Sequence, residues 1–193
     1  MRLKHLVLGA TLFGASLVAS ESVEHNAEHH KELTPYYVAV KGMYTLGDDY
    51  TNDYGIKEEG DAGYGVAVDF GYYFYKNFAV ELDFTYENGD VTAYEEEEGE
   101  LRAISETAEY YTSSLDLVYM FKPIHELGIL FKVGYEYEYE TIADESNDET
   151  GFVFAAGLEY HLSHHYRAIA EYEHSTIDGP KGDAIFAGIV YNF

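Results

Sequence analysis

Three stretches of this sequence hold side chains whose types and spacing suit chemistry. Glu173, His174 and Ser175 are consecutive and precede Asp178-Gly-Pro-Lys-Gly182, so a general base, a hydroxyl and carboxylates share one short segment. A histidine activates a serine only when its ring nitrogen reaches the hydroxyl. In an extended chain neighbouring residues point to opposite faces, so His174 is badly placed to take the proton of Ser175, and an inert pair is expected. His25, His29 and His30 stand in His-Asn-Ala-Glu-His-His. Imidazoles there could capture a transition metal, with His25 and His29 on one face of a helix. The surrounding polar, aperiodic stretch reads more simply as a solvated tail, and His164 and His165 read as a solvated turn.

The third group is acidic. Asp48, Asp49, Asp53, Glu58, Glu59 and Asp61 form one run. Asp90, Glu95, Glu96, Glu97, Glu98, Glu100 and Glu106 form another, and Asp144, Glu145, Asp148 and Glu149 a third. Carboxylate oxygens suit Ca²⁺ or Mg²⁺, yet none of these runs has the alternating acids and sixth-position glycine of an EF-hand, so a solvated charge run is the simpler reading. The expectation is therefore no catalytic residue, no resident cofactor and no metal centre, with divalent cations at the acidic runs as the single ligand the residues suggest.

What must position these groups is a chain of strands. Residues 1–20 have a basic start (Arg2, Lys4), an apolar run at 6–18 and small residues before the charge resumes at Glu21, which is the pattern of a cleavable secretory signal peptide. The run is too short for the ~20 residues of a spanning helix. Cleavage is expected after Ser20, with Ala19 nearly as suitable. Residues 21–35 read as a flexible lead-in. The 193 residues contain no Cys, which removes disulfides and thiolate metal sites. Tyr 21, Phe 11 and Pro 3 describe many strands with few interruptions. The formal charge of −25 becomes −27 once Arg2 and Lys4 leave with the signal, so nucleic acid is excluded as a partner.

From Tyr36 onward apolar residues alternate with others, predicting eight strands at about 36–46, 63–74, 78–88, 108–121, 128–141, 151–162, 166–175 and 184–193. One face carries Tyr, Phe, Leu and Val and no charge. The other carries Lys41, Asp69, Glu81, Asp83, Asp116, Lys132, Glu136, Glu159, His161, Arg167 and Glu171 among glycines and alanines. A small eight-stranded barrel is too narrow inside for so many rings, so the apolar face must be the outer one and must meet lipid. Lys41, Lys132 and Arg167 then pair inside with Asp69, Glu81, Asp83, Asp116, Glu159 and Glu171, filling the lumen as a polar network. Links alternate long and short, with 47–62, 89–107, 142–150 and 176–183 on one side. Tyr36, Tyr72, Phe74, Phe78, Tyr119, Phe121, Tyr160, Tyr166, Tyr191 and Phe193 fall at the short-turn end as an aromatic girdle.

The last strand presents Ile185, Ile189, Tyr191 and Phe193 at alternate positions and finishes Tyr-Asn-Phe. With the leader and the eight alternating segments, this resembles the small eight-stranded outer-membrane β-barrel family that includes the OmpA transmembrane domain, OmpX and the opacity-type surface proteins. The resemblance covers 36–193 and implies an all-β, antiparallel up-and-down transmembrane barrel. It implies export to the bacterial outer membrane and a terminal signature at Ile189, Tyr191 and Phe193 for the barrel-insertion machinery. Outer-membrane lipid and lipopolysaccharide are the implied partners of a monomeric protein. The chain departs from the OmpA arrangement in carrying no peptidoglycan-binding domain after its last strand. Outer-membrane lipid A deacylases of eight strands use a His and a Ser separated by one residue on a late strand, so that both share a face, whereas His174 and Ser175 are adjacent. The expected function is non-enzymatic, structural or surface-interacting. A narrow porin or transporter for small or apolar solutes is the alternative, and lipid A deacylation a third.

Overall fold

A strand in lipid must find every backbone partner in another strand, and this chain meets that demand by closing on itself. The computed structural model describes residues 34–51, 55–97, 100–142 and 145–193. The expected leader, the lead-in up to residue 33, the His25, His29 and His30 group, Asp53, Glu98 and Asp144 lie outside these residues. The strands are β1 (Tyr36–Thr45), β2 (Asp49–Thr51), β3 (Lys57–Gly60), β4 (Tyr64–Tyr75) and β5 (Phe78–Glu97). They continue as β6 (Glu100–Phe121), β7 (Leu127–Ile142), β8 (Glu145–His161), β9 (Tyr166–Ser175) and β10 (Ala184–Asn192).

Eight of them form an antiparallel ring in the order β1, β4, β5, β6, β7, β8, β9, β10 and back to β1. The closing seam pairs β1 with β10 from Tyr37 against Asn192 to Thr45 against Ala184. Period two sorts the side chains along β4 up to the register shift at Tyr73: Tyr64, Val66, Phe70 and Tyr72 stay exposed while Ala67 and Asp69 are buried. The exposed apolar stripe continues through Leu115 and Leu117, Phe131 and Val133, Phe152 and Leu158, and Ile185 and Ile189. A belt of that extent is far larger than the apolar patches water tolerates on a soluble protein, and it is the lipid-facing surface of a transmembrane barrel. Rings pair across strands at the short-turn end: Tyr36 with Tyr72 and Phe78 with Tyr119 at 5.0 Å, and Tyr166 with Tyr191 at 5.2 Å.

The long links differ from the expected loops. Residues 89–107 continue β5 and β6 as a paired hairpin from Val91 opposite Glu106 to Glu97 opposite Glu100. Its base holds a small apolar cluster of Val91, Ala108 and Tyr110, with Ile142 packed against it. Link 47–62 contributes β2 and β3, and β3 docks on β5 with Lys57 opposite Tyr94. Likewise β7 and β8 remain paired out to Ile142 and Glu145, so β8 starts well before the expected residue 151. Beyond the lipid-facing stripe a strand has no need of a continuous apolar face, and apart from that cluster these strands are mostly polar.

Candidate functional site

The inward face of the ring builds the candidate site, a stack of buried charged side chains running from one mouth to the other. Lys41, Asp69, Glu81, Asp83, Asp116, Lys132, Glu159, Arg167 and Glu171 are each between 0 and 6% exposed. Each sits on an inward position of a ring strand, where alternation forces it away from lipid.

At the short-turn end, Arg167 on β9 holds Glu159 on β8 through Nη1 and donates to the hydroxyl of Tyr73 at 2.8 Å and to Asn192 at 3.2 Å. Its guanidinium lies over the Tyr37 ring at 5.2 Å. Tyr37 in turn donates to Glu81 at 2.5 Å, which ties this level to the next. In the middle, the Lys41 ammonium sits 2.8 Å from Asp69, 2.8 Å from Glu171 and 3.3 Å from Asp83. Lys132 reaches Glu171 at 2.7 Å and Asp69 at 3.6 Å, and also touches Glu81. Two cations from β1 and β7 thereby bind carboxylates of β4, β5 and β9 across the lumen. Asp116 accepts from Ser114 at 2.8 Å instead of from a lysine. Buried ion pairs of this kind are costly to desolvate and hold only with such geometry.

Small residues make the room. A Cβ on Gly71 would lie 2.0 Å from the Tyr37 ring, and one on Gly134 would strike the Asp116 carboxylate. Lumen glycines are thus the sockets into which facing side chains fold.

The outer mouth holds the residues that strand alternation did not single out. Lys181 lies in link 176–183, yet its ammonium turns down into the barrel, 2.6 Å from Glu138 and 3.1 Å from Thr112. Burial pushes Lys181 down, but the facing Glu138 and Glu87 outweigh it and hold its ammonium above the ordinary lysine range. Around it Glu87 accepts from Thr45, and Glu136 accepts from Ser175. The link is held inward by backbone bonds from Leu46 to Asp183, Gly47 to Lys181 and Asp48 to Pro180. Gly47 and Gly182 cross there with φ of 70° and 72°, and a Cβ on Gly182 would meet the Gly47 carbonyl oxygen at 2.7 Å. A cavity of about 200 Å³ remains between this link and the outer ends of β6 and β7. A single lysine in link 176–183, bracketed by Pro180 and Gly182, is the trace of this plug in the sequence.

His174 and Ser175 diverge. Ser175 turns inward to Glu136 and accepts from the Ile177 amide at 3.0 Å, whereas His174 is exposed and meets Asp183 at 2.7 Å. The hydroxyl and the imidazole are on opposite faces of β9, so neither serves the other. Among the described residues no group of three or more His, Asp or Glu side chains is arranged to hold a metal ion.

Known proteins agree with this architecture. The family model described as outer membrane protein beta-barrel domain matches residues 8–193. No curated protein is similar enough in sequence to match. Among solved structures, neisserial surface protein A, NspA, superimposes with a TM-score of 0.62 at 12% identity, over 83% of this chain and 98% of that one. Ail, the attachment invasion locus protein of Yersinia pestis solved with the heparin analogue sucrose octasulfate, gives 0.53 at 19% identity, over 82% of this chain and 96% of that one. At such identities the likeness is one of fold.

Proposed function

The chain belongs to the outer membrane protein beta-barrel domain family, and from that premise we propose that it is a non-enzymatic surface protein of the bacterial outer membrane. Its lumen is a structural filling, and its work is done by the acidic links outside. The observation that supports this most directly is the cross-lumen bonding of Lys41 and Lys132 to carboxylates of three other strands, with Lys181 closing the mouth above them. An interior of eight strands is just wide enough for side chains to fill, and here they fill it with bonded charges.

On this reading the short turns face the periplasm and the long links face outward. Asp48, Asp49, Asp61, Asp90, Glu106, Glu145, Asp148, Glu149 and Asp178 are exposed at the outer end. Such a surface repels polyanions and recruits cations. Ail was solved with a sulfated polyanion analogue, and the acidity of this chain argues for the opposite preference: a cationic partner, or lipopolysaccharide phosphate bridged by divalent cations. Planar-bilayer recording from purified protein tests the filled lumen. Silence at all voltages is expected, and steady single-channel openings would replace this reading by a solute pathway. Loss of lipopolysaccharide binding on adding a chelator, recovered with Mg²⁺, is expected for the links.

A further inference from the structure

The short-turn end of the barrel has the opposite charge from the long-link end. Its turns 76–77, 122–127 and 162–165 carry Lys76, Lys122, His125, His164 and His165 against a single acid, Glu126. They surround an open cavity of about 480 Å³, lined by Lys76 from one turn, by Lys122, His125 and Glu126 from the second and by His164 from the third. Many times the volume of a single water is available there. The floor is Arg167, 2% exposed, beside His161. Arg167 spends both terminal nitrogens on Glu159, Tyr73 and Asn192, but its buried Nε has no partner, nor has the buried Nε2 of His161. Desolvation first, and then the positive field of Arg167, push Lys122 below the ordinary lysine range, and Glu159 offsets them only in part.

We propose that this cavity is an anion site that takes a phosphate group. A carboxylate would want the planar fork of an arginine, and both terminal nitrogens of that fork are already engaged by Glu159, Tyr73 and Asn192. Donors that line one cavity from three turns suit an oxyanion that presents oxygens in several directions. Tyr73 and Asn192 bond to Arg167 at the floor, and their chain neighbours Tyr72, Phe74 and Tyr191 belong to the aromatic girdle, the depth at which lipid headgroups lie. The phosphate can therefore come from a phospholipid headgroup or from a free phosphate ester. The cavity and its charges are independent of whether the outer links act as proposed above.

The test uses the full folded chain in a maltoside detergent, which carries no phosphate, with the imidazole ¹H–¹³C resonances of His125, His161 and His164 as the readout. Inorganic phosphate is titrated in one arm and dihexanoyl phosphatidylglycerol, below its micelle concentration, in the other. Saturable shifts confined to these histidines are expected. Lys76→Gln and Lys122→Gln, both exposed turn positions that leave the barrel intact by heat-modifiable migration, should each weaken binding about tenfold. Lys57→Gln at the opposite end should leave it unchanged. Tighter binding of the lipid than of inorganic phosphate assigns the site to a headgroup, and equal or weaker binding assigns it to a free ester. Shifts that never saturate with either probe, or that persist unchanged in both lysine variants, would overturn the proposal.

Discussion

Replacing Lys132 by Met keeps the volume and removes one of two ammonium groups from the middle of the lumen. Its contacts at 2.7 Å to Glu171 and 3.6 Å to Asp69, with Glu81 in addition, set the scale. At an effective dielectric constant of about 20 such contacts carry about 5–6 kcal/mol each, and desolvation of the ions takes back several of these. What remains when one partner leaves a buried pair is about 3–5 kcal/mol, because the abandoned carboxylates stay buried. With a urea dependence of about 2 kcal/mol per M, the unfolding midpoint of Lys132→Met in lipid vesicles should fall by about 2 M at neutral pH. Adding Glu81→Gln should return part of the loss, since one fewer carboxylate is left without a cation. Lys57→Met is the comparison: its ammonium lies 2.5 Å from Glu59 but both side chains are more than a third exposed, and the change should cost less than about 1 kcal/mol. If Lys132→Met costs no more than Lys57→Met, the lumen is wet and screened, and the reasoning that calls it a filling fails.

Gly71→Ala should destabilise the barrel by about 1–3 kcal/mol, because its methyl group enters the Tyr37 ring and must displace the bond from Tyr37 to Glu81; urea midpoints measure it. Lys181→Gln should release link 176–183 from the mouth, read as protease cleavage near Asp178 that the parent chain resists, while the barrel stays folded. Burial raises Asp183, but hydrogen bonds from Tyr172 and His174 outweigh it and leave the carboxyl below the ordinary aspartate range. A depressed folded value means that its tie to β9 is complete above about pH 4 and lost as pH falls through that value. The carboxyl ¹³C shift of Asp183 should titrate accordingly, and a midpoint at or above that of a free aspartate would contradict the bonding.

The ring was legible because lipid imposes a rule on every residue it touches. Phe131 and Val133 must face out, so Lys132 between them must face in, and period two delivers both facts at once. The same rule places Lys41, Asp69 and Glu171, though not which carboxylate meets which ammonium, since that depends on the register of four strands. Where the rule lapses, so did the sequence signal. Residues 89–97 and 100–107 pair outside the lipid-facing stripe with only a small apolar cluster at their base, and a run as acidic as Glu95 to Glu98 looks like a loop. Lys181 was illegible for a different reason: its direction is set by loops from two ends of the ring crossing at Gly47 and Gly182, and no local pattern encodes a crossing.

The seam between β1 and β10 differs in kind from the other seven. Each of those joins strands adjacent along the chain or separated only by the short β2 and β3, whereas Tyr37 pairs with Asn192 and Thr34 donates to the Phe193 carbonyl at 2.7 Å. Seven ladders are therefore local and cheap in loop-closure entropy, and one has nearly the largest contact order the sequence allows. A growing sheet can zip hairpin by hairpin, but until the eighth ladder forms it has two open edges in a medium that tolerates none. By loop-closure entropy the costliest ladder of this molecule is one zipper of nine residue pairs.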